Sequence, residues 1–384
     1  MIEDIKAKFE ALFQQKPLLV RSPGRVNLIG EHTDYNNGFV LPAAINKEIY
    51  FALAPNHTNT SRAYAYDLDE SAEFDLGSIS RSDIGWANYL LGVVAQLQKA
   101  NYIVPGFDVV FGGNVPIGAG LSSSAAVECG LAFGLNHLFS FGLETFTMVK
   151  MAQKAEHEYA GVMCGIMDQF ASMFGKQNHV VKLDCRSLAY KYYDFDMADY
   201  RIVLCDTRVK HALASSEYNT RRQECETGVA ILQGHYPQVQ SLRDATLPML
   251  AQHQEEFDPV VYKRCTYVVS ENKRVEEACL NLQENNMHAF GEKMYASHEG
   301  LQYQYEVSCP ELDFLVDQTR GSDAVLGARM MGGGFGGCTI NIVKVDAIDA
   351  FKQQMEQAYQ QQFGVQLQTY IASIVDGSSL VHNP

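Results

Sequence analysis

Pro116-Ile117-Gly118-Ala119-Gly120-Leu121-Ser122-Ser123-Ser124-Ala125-Ala126 is the most informative stretch of this 384-residue chain. Two glycines one residue apart lead directly into three serines, and helical spacing follows over 122–138. Gly118 and Gly120 can take positive φ and let backbone N–H groups approach an anion. The serines open a helix whose first N–H groups have no internal partner, so loop and helix end together suit a phosphate. The hydroxyls of Ser122, Ser123 and Ser124 add partners for phosphate or a magnesium ligand. No Gly-Lys-Ser/Thr follows, and the glycine spacing is not that of a dinucleotide fingerprint, so neither of those phosphate loops is present. A plain glycine turn with a serine N-cap would use the same residues.

Outward from this loop, short apolar runs predict strands over 18–22, 25–29, 109–111, 180–183, 202–205, 324–331 and 339–343. Helical spacing predicts helices over 86–97, 143–159, 216–232, 263–282 and 347–362. Residues 1–15 read as an amphipathic helix, with Ile2, Ile5, Phe9, Leu12 and Phe13 recurring at its spacing. The mixture is α+β rather than a regular βαβ series. With 384 residues, 47% of them hydrophobic, the chain suits two domains, and the boundary is placed within 186–200. Residues 234–258 are polar, hold two prolines and read as a surface excursion.

The formal net charge is −15, so neither nucleic-acid phosphates nor anionic membranes are expected partners. An anionic nucleotide would need local help from a metal, a basic residue or backbone N–H groups. The nine cysteines are scattered, with no two within three residues, unlike the paired ligands of a structural zinc site. They predict reduced thiols in a cytoplasmic protein. No apolar run approaches about 18 residues, so no membrane span is expected.

Three further clusters carry chemistry. In Arg25-Val26-Asn27-Leu28-Ile29-Gly30-Glu31-His32-Thr33-Asp34-Tyr35, an apolar strand ends at a dense polar set. Glu31, His32 and Asp34 offer acceptors for the hydroxyls of a sugar, and Arg25 can neutralise charge on a phosphoryl group. The same spacing suits a solvated loop with a surface ion pair, or less naturally a metal. Cys164-Gly165-Ile166-Met167-Asp168-Gln169-Phe170 sets one carboxylate among small and apolar residues. Burial raises an aspartate's pKa and a nearby arginine lowers it, so an Asp–Arg contact would suit a base; an aspartate at a helix start is the alternative. Gly332-Gly333-Gly334-Phe335-Gly336-Gly337 joins two predicted strands. It suits either a hairpin or a close approach to backbone or ligand.

Together these segments resemble the GHMP family of small-molecule kinases, and within it the galactokinases. The stretch from Pro23 to Tyr35 looks like the galactokinase signature, whose Glu31-His32-Thr33-Asp34 part points to galactose. Pro116 to Ala126 looks like the family's ATP-phosphate motif, and Gly332 to Cys338 like its third motif. Cys164 to Gln169 and Ser216-Glu217-Tyr218-Asn219-Thr220-Arg221-Arg222 also match the family's pattern. The resemblance implies two α+β domains with the active site between them. These are an N-terminal one (1–190) like ribosomal protein S5 domain 2 and a ferredoxin-like C-terminal one (191–384). It implies that Glu31, His32, Thr33, Asp34, Gly165 and Tyr218 contact galactose. Gly118, Ala119, Gly120, Leu121, Ser122, Ser123 and Ser124 would cradle the phosphates of ATP, with Trp86 and Tyr89 near adenine. Ser124 and Glu156 would hold Mg²⁺. Asp168 would be the base for the C1 hydroxyl and Arg25 the transition-state stabiliser, in a monomer whose partners are galactose and ATP. Kinase action on a related sugar is one alternative, although Glu31 and Asp34 would repel a galacturonate. A catalytically silent sensor is another. Fungal relatives of that kind lack a Ser-Ala pair, and Ser124-Ala125 is present here.

Overall fold

The computed structural model describes residues 1–116, 118–195, 197–209 and 214–382, without the side chains of 214–216. Ile117 of the glycine loop and the side chain of Ser216 therefore lie outside the described residues. From the N-terminus come α1 (Ile2–Phe13), β1 (Leu18–Asn27), β2 (Phe39–Val40), β3 (Pro42–Pro55), β4 (Thr60–Ala65) and β5 (Glu70–Asp75). There follow α2 (Ala87–Lys99), β6 (Phe107–Gly113), α3 (Ser123–Leu138), α4 (Thr145–Ala155), α5 (Met167–Phe174), β7 (His179–Asp184) and β8 (Tyr190–Asp194). Then come β9 (Tyr200–Asp206), α6 (Ala214–Gln233), α7 (Leu247–Gln252), α8 (Pro259–Gln283), α9 (Met287–Glu299) and α10 (Pro310–Asp317). The chain ends with β10 (Val325–Met330), β11 (Cys338–Lys344), α11 (Ile348–Phe363), β12 (Gln368–Ala372) and β13 (Ser379–Leu380).

A six-stranded sheet in the order β13-β1-β3-β6-β4-β5 is the first layer, and the chain's end returns to pair with its beginning. The two strands predicted over 18–22 and 25–29 are one strand with a bulge between Pro23 and Arg25. At Gly24 a Cβ would overlap the carbonyl oxygen of Leu121, and the Arg25 N–H donates to that oxygen at 3.1 Å. The bulge therefore welds β1 to the glycine loop and sets where Arg25 points. α3 lies close on the sheet, because Gly130 and Gly134 leave room for Phe51 and Leu53 of β3.

In a second sheet, β10-β11-β9-β12, strands β9, β10 and β11 are buried on both faces and successive side chains of β9 enter different cores. Ile202 and Leu204 of β9 join the main core, while Val203 and Cys205 face Phe351, Met355 and Tyr359 of α11. A third core gathers α6 and α8, and it corrects the reading of residues 234–258. Val239, Leu242, Leu250 and Phe257 are buried there, so this segment is part of the core and not an excursion. No described helix is long and apolar enough to cross a membrane.

Candidate active site

The glycine loop folds as a backbone cradle. Gly118 and Gly120 hold φ of +81° and +75°. The late glycine turn between β10 and β11 packs directly on them: a Cβ at Gly332 would lie 3.4 Å from the Gly120 carbonyl oxygen, and one at Gly337 3.3 Å from that of Ala119. Of the two readings of that turn, it is a hairpin connection that also makes the close approach. Ser122 occupies the N-cap position of α3 at φ +60° but makes no side-chain cap. Its hydroxyl donates to the Asp168 carboxylate instead.

Asp168 sits in the first turn of α5, yet its carboxylate leaves the helix end. It receives a fork from Arg25, Nε to Oδ1 and Nη2 to Oδ2, both at 2.8 Å. Arg25 also donates from Nη1 to the Gly120 carbonyl at 2.6 Å, tying carboxylate, cation and glycine loop into one unit. A bidentate Arg–carboxylate pair fixes orientation as well as charge.

The polar set after Gly30 divides its labour. Asp34, His32 and Glu31 line a small cavity of about 130 Å³ with Arg25, Asp168, Tyr218, Gly332 and Gly333. Burial, and then the nearby negative charge of Asp168, pushes the Asp34 carboxyl up to about 7. Gly165 lies against it, where any Cβ would overlap the carboxylate. Burial, and then the charge of Arg221, lowers the His32 imidazole to about 3. The His32 Nδ1 meets the Tyr35 hydroxyl at 2.7 Å, and its ring lies among Tyr35, Tyr218 and Tyr305. Glu31 faces the cavity but spends Oε1 on Arg329 and on the Gly332 N–H, both at 2.8 Å. Thr33 does not line the cavity. Its fully buried hydroxyl donates to the Gly30 and Phe39 carbonyls at 2.8 and 2.6 Å, so it holds the turn.

Ser124 and Glu156 lie side by side, the Ser124 Oγ–H donating to Glu156 Oε1 at 2.8 Å. Glu156 begins a single π-turn (Glu156–Ala160) that continues α4, a local widening often found at functional sites. Burial pushes its carboxyl up to about 7; the Ser124 hydrogen bond opposes this and Asp168 adds to it. Glu128 faces it, buried and raised well above the ordinary range, with Gln169 between them.

Trp86 and Tyr89 line a larger, mostly apolar cavity of about 730 Å³ with Phe111, Val115, Val127 and the two serines Ser123 and Ser124. Those serines also line a middle cavity of about 270 Å³ over the glycine loop, together with Gly118, Gly120, Leu121 and Ser122. That cavity in turn shares Arg25, Asp168 and Gly333 with the small polar one. The three make one groove: an apolar slot, a backbone cradle and a polar chamber.

Comparison with known proteins identifies the family. Residues 7–55 match the galactokinase galactose-binding signature, 88–176 the GHMP kinases N terminal domain and 278–361 the GHMP kinases C terminal model. A galactokinase of Roseiflexus sp. is 38% identical over 375 residues, 97% of this chain and 96% of its own length. One of Clostridium beijerinckii is 41% identical over 390 residues, 98% of each chain. The chain belongs to the galactokinase family. The crystal structure of Lactococcus lactis galactokinase complexed with galactose matches with a TM-score of 0.95 at 34% identity, over 99% of both chains. A mevalonate kinase shares the fold alone, with a TM-score of 0.63 at 18% identity over 94% of this chain and 99% of its own. The protein is thus an ATP-dependent kinase with the α+β GHMP kinase fold.

Sequence reasoning passes over several residues of this groove. Arg329, wholly buried on β10, donates to the Asn27, Leu28 and Met330 carbonyls as well as to Glu31. A lone arginine in an otherwise apolar strand was the available signal. Gly332 and Gly333 reach the polar chamber itself, and Glu128 completes the buried acidic group. Glu128 lies mid-helix among alanines and glycine, where a buried carboxylate carries the same kind of signal.

Proposed function

We propose that the protein transfers the γ-phosphoryl group of ATP to the C1 hydroxyl of D-galactose, the entry step of galactose breakdown. The observation that carries this reading is the junction of the groove, where Arg25 and Asp168 line both the phosphate cradle and the polar chamber. The apolar slot at Trp86 and Tyr89 takes adenine, and Gly118 to Ser124 take the phosphates. Glu31, His32, Asp34, Gly165 and Tyr218 form the sugar chamber, while Thr33 supports it from behind. Asp168, aimed by Arg25 and Ser122, accepts the C1 hydroxyl proton as the oxygen attacks. Arg25 balances the negative charge that spreads over the transferring group. Most of the acceleration is positioning, since phosphoryl transfer asks little covalent chemistry of the protein.

Mg²⁺ fits the residues at the cradle's edge. Ser124 and Glu156 offer hard oxygens side by side, and the raised carboxyls of Glu156 and Glu128 mark an acidic patch short of positive charge. When bound there, the ion would neutralise phosphate charge. The chain divides near residue 190, with the groove between the halves. Its nine cysteines are free thiols, in keeping with a cytoplasmic protein.

ADP release measured across a panel of sugars tests the proposal. Galactose should be turned over with the highest kcat/KM, and 1-deoxygalactose should give no galactose-dependent ADP. Equal turnover of 1-deoxygalactose would refute C1 as the acceptor.

A further inference from the structure

We propose that His235, His253 and Glu256 form a zinc(II) site on the helical core of the C-terminal half. It lies apart from the catalytic groove, since none of the three lines any of the groove's cavities. Their ligating atoms all lie within 4.8 Å of one another. His235 Nε2 is 2.7 Å from Glu256 Oε2, and His253 Nδ1 is 2.9 Å from Oε1 of the same carboxylate. The two imidazoles stack 3.7 Å apart at 19°. Three donors around a tetrahedral zinc sit about 3.3 Å apart for bonds of about 2.0–2.1 Å, and each imidazole lone pair lies in its ring plane, so to admit the ion the donors must spread and His235, the more exposed of the two stacked rings, must turn out of the stack. Two imidazoles and one carboxylate form a donor set that suits zinc and excludes the magnesium chemistry of the groove.

The surroundings orient these ligands. The Tyr236 hydroxyl donates to Gln252 Oε1 at 3.0 Å, so its oxygen accepts from His253 Nε2–H at 3.3 Å. In that tautomer Nδ1 carries a lone pair toward Glu256, and a cation shared by Nδ1 and the carboxylate fills the gap a proton would otherwise fill. Each ligand stands on a fixed turn: His235 N–H donates to the Leu232 carbonyl, His253 N–H to that of Leu250, and Glu256 N–H to that of His253. Leu232 and Leu250 are themselves wholly buried, so the mount is rigid. Side-chain exposures of 36%, 12% and 48% for His235, His253 and Glu256 leave a coordination position open to water. The ion would staple the end of α6 to the turn after α7. α6 is the helix whose first turns carry Tyr218 into the sugar chamber.

The test titrates untagged full-length protein with Zn²⁺ by calorimetry and follows the thermal midpoint. Co²⁺ absorption serves as a second probe of ligand type. One equivalent should bind and raise the midpoint. His235→Ala and Glu256→Gln should each weaken binding by tenfold or more, and Tyr236→Phe by about tenfold, while kcat is unchanged. The Co²⁺ spectrum should lack a thiolate charge-transfer band. No stoichiometric binding, undiminished binding in both ligand variants, or a thiolate band that assigns the ion to a cysteine would each overturn the site.

Discussion

Gly118, Gly120, Gly332 and Gly337 hold φ between +75° and +85°, and the last two pack against Gly120 and Ala119 of the phosphate cradle. A few ångströms on, the sugar chamber is lined instead by buried side chains whose titration is displaced, Asp34 up to about 7 and His32 down to about 3. In the proposed function the cradle would recognise charge with main-chain dipoles that cannot titrate. The chamber would recognise hydroxyls with groups already desolvated, at a cost the surrounding fold bears. Arg25 bridges the two, donating to the Gly120 carbonyl on one side and to Asp168 on the other. A change in the chamber should therefore act on sugar binding and chemistry, and leave nucleotide binding largely alone.

The hardest strike at this division falls on the bridge. Asp168→Asn keeps size and shape but cannot take a proton, so kcat should fall by roughly 10²–10⁴-fold while both substrates still bind. Arg25→Ala should also depress kcat, through lost charge stabilisation. Because the two side chains form one bidentate pair, their effects should not add in the double variant. Rapid-quench or steady-state kcat for the four proteins, with circular dichroism for folding, checks this. A folded Asp168→Asn enzyme with near-wild-type turnover would remove the base.

The comparison also shows where sequence is legible. The cradle is local: Gly118 to Ser124 lie together in the chain, and their composition announces an anion site. The chamber is assembled from afar. Arg25 meets Asp168 across 143 residues, and Glu31 meets Arg329 across 298. No periodicity reports such pairings. Thr33 was drawn into the sugar set because it stands between His32 and Asp34. The positive φ of His32 turns the chain so that Thr33 alone points back to the Gly30 and Phe39 carbonyls. Residues 234–258 mislead in the opposite sense, since their polar average hides five buried apolar side chains. The sequence leaves a serine N-cap of α3 open as an alternative, but the Ser122 hydroxyl donates to Asp168, which local sequence cannot foresee.

A smaller effect should separate chamber from cradle by binding alone. Asp34→Ala removes an acceptor and leaves a sugar hydroxyl unpaired, at a cost of about 1–3 kcal/mol, or roughly 5- to 150-fold in galactose affinity. Gly165→Ala should reach the same result by another route, because its Cβ would displace the Asp34 carboxylate. ATP affinity should change less than twofold in both. Calorimetry with each ligand decides it, and matched losses for galactose and ATP would show that the two regions are not independent.

The smallest effect is a thermodynamic one at the cradle's edge, where Glu156 is the one titrating group among the proposed phosphate and metal ligands. Its carboxyl moves from an ordinary 4.5 to about 7 because it is buried beside Asp168. The folded protein therefore holds that proton more tightly than the unfolded chain does. The resulting stabilisation is complete below about pH 4.5 and is lost as pH rises through 7, amounting to about 3 kcal/mol between the limits. Glu156→Gln is neutral at every pH and lacks this term. Asp34, His32 and His298 also titrate abnormally, but they do so in both proteins and cancel in the difference, whereas Glu128, raised in part by Glu156, relaxes in the variant and adds to the same trend. The wild-type-minus-variant difference in thermal midpoint should thus fall by a few degrees from pH 5 to pH 8. Magnesium favours the ionised carboxylate, so it should raise the wild-type midpoint more at pH 8 than at pH 5 and leave the variant where it was. A difference that stays flat with pH would mean that Glu156 is already ionised in the free protein. A variant that responds to magnesium as the wild type does would move the metal away from Glu156.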